Sequence, residues 1–279
     1  MRKRILIIDG YNMIHRCRFQ WGGGVAEGEH QIVYNFFRIL KPMVSQFLPD
    51  KVYFTFDGKP VARLEQFPEY KANRKRDDDP EAVAYWKSFS RQKEIIYSLL
   101  SDHFPITVVG HSENEADDVI YHLAKLKHSG DEVIVASSDT DFIQLLNEFP
   151  DNVRLWNPIA KNYRENTDYD YVSWKAMVGD RADNIPGVSR IGKKTASKIL
   201  TSDGELESRM KVATFREPYE LSYSLIKLSD LSDISSEISY SSSCLNQEKI
   251  VQSFIGMDFS SILAEPYGDE FFKIFKALC

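Results

Sequence analysis

Arg4-Ile5-Leu6-Ile7-Ile8-Asp9-Gly10 is the stretch on which the fold turns. A short apolar run rich in β-branched residues reads as a strand, and Asp9 closes it. The basic start, Met1-Arg2-Lys3-Arg4, superficially resembles a signal peptide, but Asp9 ends the apolar run well short of an h-region. No stretch approaches the roughly 18 apolar residues of a membrane span, so the expectation is a cytoplasmic protein with no membrane partner.

Working outward, Val52 to Phe56, Ile106 to Val109 and Glu132 to Ala136 repeat the strand pattern. Between them, Gln31 to Phe47, Pro80 to Leu100 and Ala116 to His128 carry apolar residues at helical spacing. This alternation predicts an α/β fold, a mostly parallel central sheet flanked by helices on both faces. Ligands of such sheets collect beyond the carboxyl ends of the strands. Asp9 and Asp57 close two strands, and Asp139 and Asp141 follow a third, so four carboxylates from distant parts of the chain are expected at one crevice.

After Trp156 the pattern changes. Tyr171 to Val178 reads as a helix, Gly179 to Gly192 as a loop with Pro186, and Lys193 to Leu200 as a second helix. Ser229 to Ser243 is serine-rich and reads as a mobile loop, followed by short amphipathic segments. The 279 residues suffice for one large domain with an appendage, and 43% hydrophobic with 27% charged residues excludes disorder over most of the chain. Cys17, Cys244 and Cys279 are odd in number and lack metal-ligand spacing, which argues against a disulfide framework and a zinc site.

A lone Asp at a strand end is usually a turn or cap residue, and Ser112 with Glu115 has the spacing of a capping box. That reading leaves the number of acids unexplained, because Glu115, Asp117 and Asp118 crowd one helix start. Asp180 and Asp183 stand just past a helix end, where the dipole disfavours anions. Clustered carboxylates need a cation, and hard oxygen ligands suit Mg²⁺ or Mn²⁺. Two such ions about 3.5–4 Å apart could activate water and hold a scissile phosphate. The net charge of −6 opposes a nucleic-acid partner overall. Basic residues nevertheless concentrate at 71–76 and 190–194, which suits an acidic pocket flanked by cations that handle a polyanion. Gly187 to Lys193 is not a P-loop, since Lys194 stands where Ser or Thr is needed.

Taken in order, Ile7-Ile8-Asp9-Gly10, Phe56-Asp57, Tyr70-Lys71-Ala72-Asn73-Arg74, Glu115-Ala116-Asp117-Asp118, Asp139-Thr140-Asp141-Phe142 and Gly179 to Val188, running on through Ala196, resemble the 5′-nuclease family. That family comprises the N-terminal domain of bacterial DNA polymerase I, bacteriophage 5′-exonucleases and flap endonucleases. The resemblance implies a PIN-like fold with a catalytic core over 1–165, a helical arch at about 70–100, and a helix-hairpin-helix with a C-terminal helical region over 166–279.

The resemblance further implies one metal held mainly by Asp57, Glu115, Asp117 and Asp139 with Asp9 nearby. A second would be held by Asp141, Asp180 and Asp183, with Asp118 close to the cluster. Lys71 and Arg74 are expected at the scissile phosphate, and Tyr70, Lys75, Arg76, Gly187, Gly192, Lys193 and Lys194 at the DNA. The expected cofactors are two Mg²⁺, replaceable by Mn²⁺, with K⁺ at the hairpin. The implied activity is structure-specific 5′-3′ exonuclease and flap endonuclease cleavage of DNA bearing 5′ flaps, 5′ overhangs or RNA primers, by a monomer in a bacterial or infected host cell. A PIN-type ribonuclease and a non-catalytic branched-DNA-binding protein are the alternatives. Ending at Cys279, the chain is expected to be a free-standing enzyme.

Overall fold

A computed structural model describes residues 2–19, 28–74 and 79–279 of the protein. Among them the strands are β1 (Arg4–Asp9), β2 (Lys51–Phe56), β3 (Thr107–Gly110), β4 (Glu132–Ala136), β5 (Val153–Asn157), β6 (Asn162–Tyr163) and β7 (Ser239–Ser241), in the spatial order β6-β5-β4-β1-β2-β3-β7. The five inner strands are parallel and the two edge strands antiparallel. The four strands read from the sequence are β1 to β4, while β5 and β6 fall where the sequence pattern changes.

The pleat of β1 sorts its side chains between two cores. Leu6 and Ile8 face one side with α1 (Gly10–Arg16), α2 (Gln31–Phe47) and the second half of α4 (Pro80–His103), which follows the short α3 (Val61–Gln66). Ile5 and Ile7 face the other, against α5 (Ala116–His122) and α6 (Ile143–Glu148). Period-two alternation in a strand covered on both faces makes every residue apolar, which is why the run is continuous. Helix α2 spans the expected residues, whereas Ala116 to His128 is α5 followed by a single π turn at Leu123–Lys127.

The hairpin unit consists of α7 (Tyr171–Val178), α8 (Lys193–Thr201), α9 (Glu205–Met210) and α10 (Ala213–Ile226), built on its own core of Met177, Ile185, Val188, Ile199, Phe215 and Tyr219. Gly179 and Gly187 have φ of 77° and 68°, and a Cβ on Gly187 would lie 2.5 Å from the Gly179 nitrogen. Only glycine permits both the left-handed backbone and this close crossing.

Two expectations are corrected here. The serine-rich segment is not simply a loop: Tyr240 and its neighbours pair with β3 as β7 and cover the sheet edge. The last helices, α11 (Gln247–Gly256), α12 (Ser260–Leu263) and α13 (Tyr267–Lys276), do not continue the hairpin region. Ile250, Phe254, Ile262, Phe271 and Phe275 pack on α2 and α4 in the first core, where their apolar faces are buried against Phe36, Phe37 and Phe104.

Candidate active site

Three strand ends deliver carboxylates to one cavity of about 790 Å³. Asp9 ends β1 and caps α1 by accepting from the Asn12 amide at 3.1 Å, while its other oxygen accepts from Ser137 Oγ at 2.6 Å. Ser137 Oγ also accepts from the Asp139 amide at 3.1 Å, so one hydroxyl spaces the acids of β1 and β4. The Asn12 side chain bonds Ser138 on its hydroxyl and backbone, fixing the loop that carries Asp139. Asp57, just past β2, accepts from the Ala116 amide at 3.0 Å and holds the start of α5.

Helix α5 contributes Glu115 at its N-cap and Asp117 in its first turn. Asp117 faces Asp9, Asp57 and Asp139; burial first and their charges next push its carboxyl well above the usual range. Burial also pushes Asp9 up to about 7, against the Ser137 hydrogen bond and with help from Asp57 and Asp139. Mutual repulsion in a desolvated site is the physical cause.

Asp118 is placed differently from the expectation. Its carboxylate is 0% exposed and turned away from the cavity, accepting from Arg63 Nη1 at 2.6 Å, Arg63 Nη2 at 2.8 Å and the Ser229 amide at 2.7 Å. This bidentate pair satisfies its charge within the protein. Arg63 also donates to Glu115 at 3.0 Å and to the Leu225 carbonyl at 3.0 Å, so it ties the acid of α5 to the end of α10.

Lys71 adopts φ 58° and donates its amide to the Asp183 carbonyl at 2.9 Å, while its ammonium bridges Glu115 and Asp183. Arg74 pairs with Asp183 beside it. Burial works to lower the Lys71 ammonium, but Glu115 and Asp183 win and raise it, so it is charged at neutral pH. The 180–184 loop is laced to this basic segment by Asn73 Nδ2 to the Arg181 carbonyl at 2.6 Å and Asn184 Nδ2 to the Glu69 carbonyl at 2.8 Å. Tyr70, expected at the DNA, is 5% exposed and donates its hydroxyl to Glu115 at 3.0 Å, so it supports the site from beneath.

Lys175 of α7, a buried cation that sequence reasoning missed, joins Asp141 to Asp180, at 2.6 Å from the latter. Burial, opposed by Lys175, leaves Asp141 raised to about 6. Asp180 is held low, since the Lys175 hydrogen bond and charge outweigh its desolvation. Arg63 and Lys175 carry no local signal, because a lone basic residue in a helix reads as a solvated side chain.

The carboxylates therefore fall into two groups. Glu115, Asp141, Asp180 and Asp183 are neutralised by Lys71, Arg74 and Lys175. Among the described residues, Asp9, Asp57, Asp117 and Asp139 form no ion pair and share one cavity wall. An all-oxygen, strongly anionic donor set of this kind fits a hard divalent ion. No three of the described carboxylates converge as a ready-made cage.

Lys71 and Arg74 line the cavity with the acids, as expected. Lys75 and Arg76 lie outside the described residues. At the hairpin, Gly187 is required by its packing against Gly179, so its glycine is explained without DNA. Gly192 caps α8 with open space around its Cα, and Lys193 and Lys194 are exposed beside it.

The family described as 5′-3′ exonuclease, N-terminal resolvase-like domain, matches residues 4–177, and its C-terminal SAM fold matches residues 167–240. DNA polymerase I of Streptococcus pneumoniae is 31% identical over 74% of this chain and 24% of its own length. The thermostable DNA polymerase I of Thermus thermophilus is 34% identical over 75% of this chain and 25% of its own. The chain thus spans about a quarter of these relatives. Among solved structures, the bacteriophage T5 D15 flap endonuclease in complex with DNA and metal ions superposes with TM-score 0.65 at 19% identity over 99% of both chains. The catalytic core of Rad2 with DNA gives 0.54 at 15% identity over 98% of this chain and 92% of its own. Two consecutive family domains, with their carboxylates gathered at one cavity, place this chain in the 5′-3′ exonuclease family.

Proposed function

We propose that the protein is a structure-specific 5′-3′ exonuclease with flap endonuclease activity, acting on DNA with 5′ flaps, 5′ overhangs or RNA primers. The observation that carries this reading is the cavity in which the unpaired Asp9, Asp57, Asp117 and Asp139 face the cations Lys71 and Arg74. Two divalent ions, Mg²⁺ or Mn²⁺, would be held by these acids together with Glu115, Asp141, Asp180 and Asp183; when bound, they supply an activated water and a Lewis-acid hold on phosphate oxygens. Lys71 and Arg74 are placed to take a phosphate and to offset charge that develops on it. Ser137 and Asn12 keep Asp9 and Asp139 in register, and Arg63 and Tyr70 orient Glu115. The open N-terminus of α8 at Gly192, with Lys193 and Lys194, suits a duplex backbone contact, to which K⁺ could contribute.

The test is a 5′-labelled flap duplex incubated with Mg²⁺ or with EDTA, beside an Asp139→Ala, Asp141→Ala variant. Cleavage near the junction that requires both the ion and the aspartates is the expected outcome. Tight flap binding without turnover would overturn the reading in favour of a binding protein, and cutting of unpaired RNA without duplex preference would favour a PIN-type ribonuclease.

A further inference from the structure

Asp57 and Glu115, both lining the cavity, are carried by loops that lock onto each other through the backbone. In the turn between β3 and α5, the carbonyls of Ser112, Glu113 and Asn114 accept the amides of Lys59 at 2.8 Å, Val61 at 3.2 Å and Gly58 at 2.9 Å. The approach is so close that a Cβ on Gly58 would lie 2.0 Å from the His111 carbonyl oxygen. The spacing of Asp57 and Glu115 therefore depends on the shape of this turn, which ends at Glu115, the N-cap of α5.

His111 holds that shape from inside. The residue is 2% exposed and does not line the cavity. Its Nδ1 accepts the Glu113 amide at 3.0 Å, with Asn114 Nδ2 also at 3.0 Å. A backbone amide can only donate, so Nδ1 carries no proton, and in the neutral ring the proton sits on Nε2. That Nε2–H is buried without a hydrogen-bond partner among the described residues. The Glu237 carboxylate, on the turn that leads into β7, is 3.8 Å away. A buried donor left open is unfavourable, so what orients the ring is the work of Nδ1 in the turn.

We propose that His111 is a positioning residue for the metal-binding carboxylates: by holding the Glu113 amide at Nδ1, it fixes the turn that sets Asp57 against Glu115. The inference rests on the nuclease reading above. It adds a side chain that lies outside the cavity yet decides how well the acids converge on a divalent ion.

The experiment pairs His111→Asn with His111→Gln. The Asn carbonyl oxygen reaches the place of Nδ1 and can accept the same amide, whereas the longer Gln side chain carries its oxygen toward the place of Nε2. Mn²⁺ binding is measured without DNA by electron paramagnetic resonance, and melting temperatures show that each variant folds. His111→Gln should weaken Mn²⁺ binding by about 10- to 100-fold and lower kcat on a flap duplex with KM unchanged, while His111→Asn should stay near the wild type in both. Nitrogen NMR of the wild type reads the ring independently of any variant, and Nδ1 should be unprotonated. A protonated Nδ1 would overturn the proposal, as would His111→Gln that binds Mn²⁺ like the wild type or His111→Asn that binds it as weakly as His111→Gln. If the wild type still binds Mn²⁺ and cuts the flap, only the positioning role is lost; if it binds no Mn²⁺, the nuclease reading falls with it.

Discussion

The two sides of helix α5 differ more than their sequence does. Toward the cavity, Asp117 joins Asp9, Asp57 and Asp139 with no ion pair among the described residues, and its carboxyl is pushed well above the ordinary range. Toward the core, its neighbour Asp118 is gripped by Arg63 through two hydrogen bonds. One side is unstable until something cationic arrives, and the other is complete. The same residue type, one position apart, serves chemistry or architecture according to the partner that the fold supplies.

The sharpest way to break this comparison is to neutralise each aspartate in turn. Asp117→Asn should abolish most Mg²⁺-dependent flap cleavage, by about 10²–10³-fold in kcat, while leaving or raising the melting temperature, because it removes repulsion. Asp118→Asn should act through the fold. Breaking a buried pair costs about 3–5 kcal/mol, which in a chain of this size lowers Tm by about 6–20 °C at about 2–4 °C per kcal/mol. An Asp118→Asn variant that melts like wild type but has lost activity would return Asp118 to the catalytic group.

A second contrast sets Gly187 against Gly192. Gly187→Ala meets positive φ and a 2.5 Å approach to the Gly179 nitrogen, and should destabilise the protein by more than about 1 kcal/mol, read by denaturant unfolding. Gly192→Ala has open space and φ of −96°; the N-cap preference for glycine is partly offset by the stiffer unfolded chain, so stability should change by under about 1 kcal/mol. Its effect, if the hairpin grips duplex, should appear in the binding constant instead. Equal destabilisation at the two sites would contradict the packing role assigned to Gly187.

A further test is in pH dependence. Asp9 is raised from 3.8 to about 7, so the folded state binds a proton that the unfolded chain releases between those values. The metal-free protein should therefore lose stability as pH rises from about 4 toward 7, and Asp9→Asn should flatten that slope. Addition of Mg²⁺ at pH 8 should raise Tm, with a weaker effect at pH 6 where protons compete for the same oxygens. Melting curves across pH, with and without the ion, measure both; a wild-type slope that Asp9→Asn leaves unchanged would place the repulsion elsewhere.

Much of this was legible locally. The Ile-Leu-Ile-Ile run of β1, the helical spacing of α2 and α7, and the aspartates at strand ends depend only on neighbours within a few residues, and α2 and α7 have the bounds that periodicity gave. The order of acid-bearing segments along the chain was enough to bring Asp9, Asp57 and Asp139 to one crevice, since parallel strands align their carboxyl ends.

Other features needed the assembled molecule. A helix turns about 100° per residue, so Asp117 and Asp118 necessarily point apart, but which of them meets Arg63, 55 residues away in the chain, is fixed only by packing. Lys175 becomes a counter-ion because α7 docks beside the β4 loop, and Tyr70 becomes a hydrogen-bond donor because the base of the basic segment is buried. The last helices pack on α2 and α4, and β7 closes the sheet edge, through contacts between residues far apart in sequence. By itself the sequence determined the elements and the acids they carry, because period and spacing are local properties. Only the tertiary structure decided which charges are satisfied and which remain for a ligand, because a charge partner can come from anywhere along the chain.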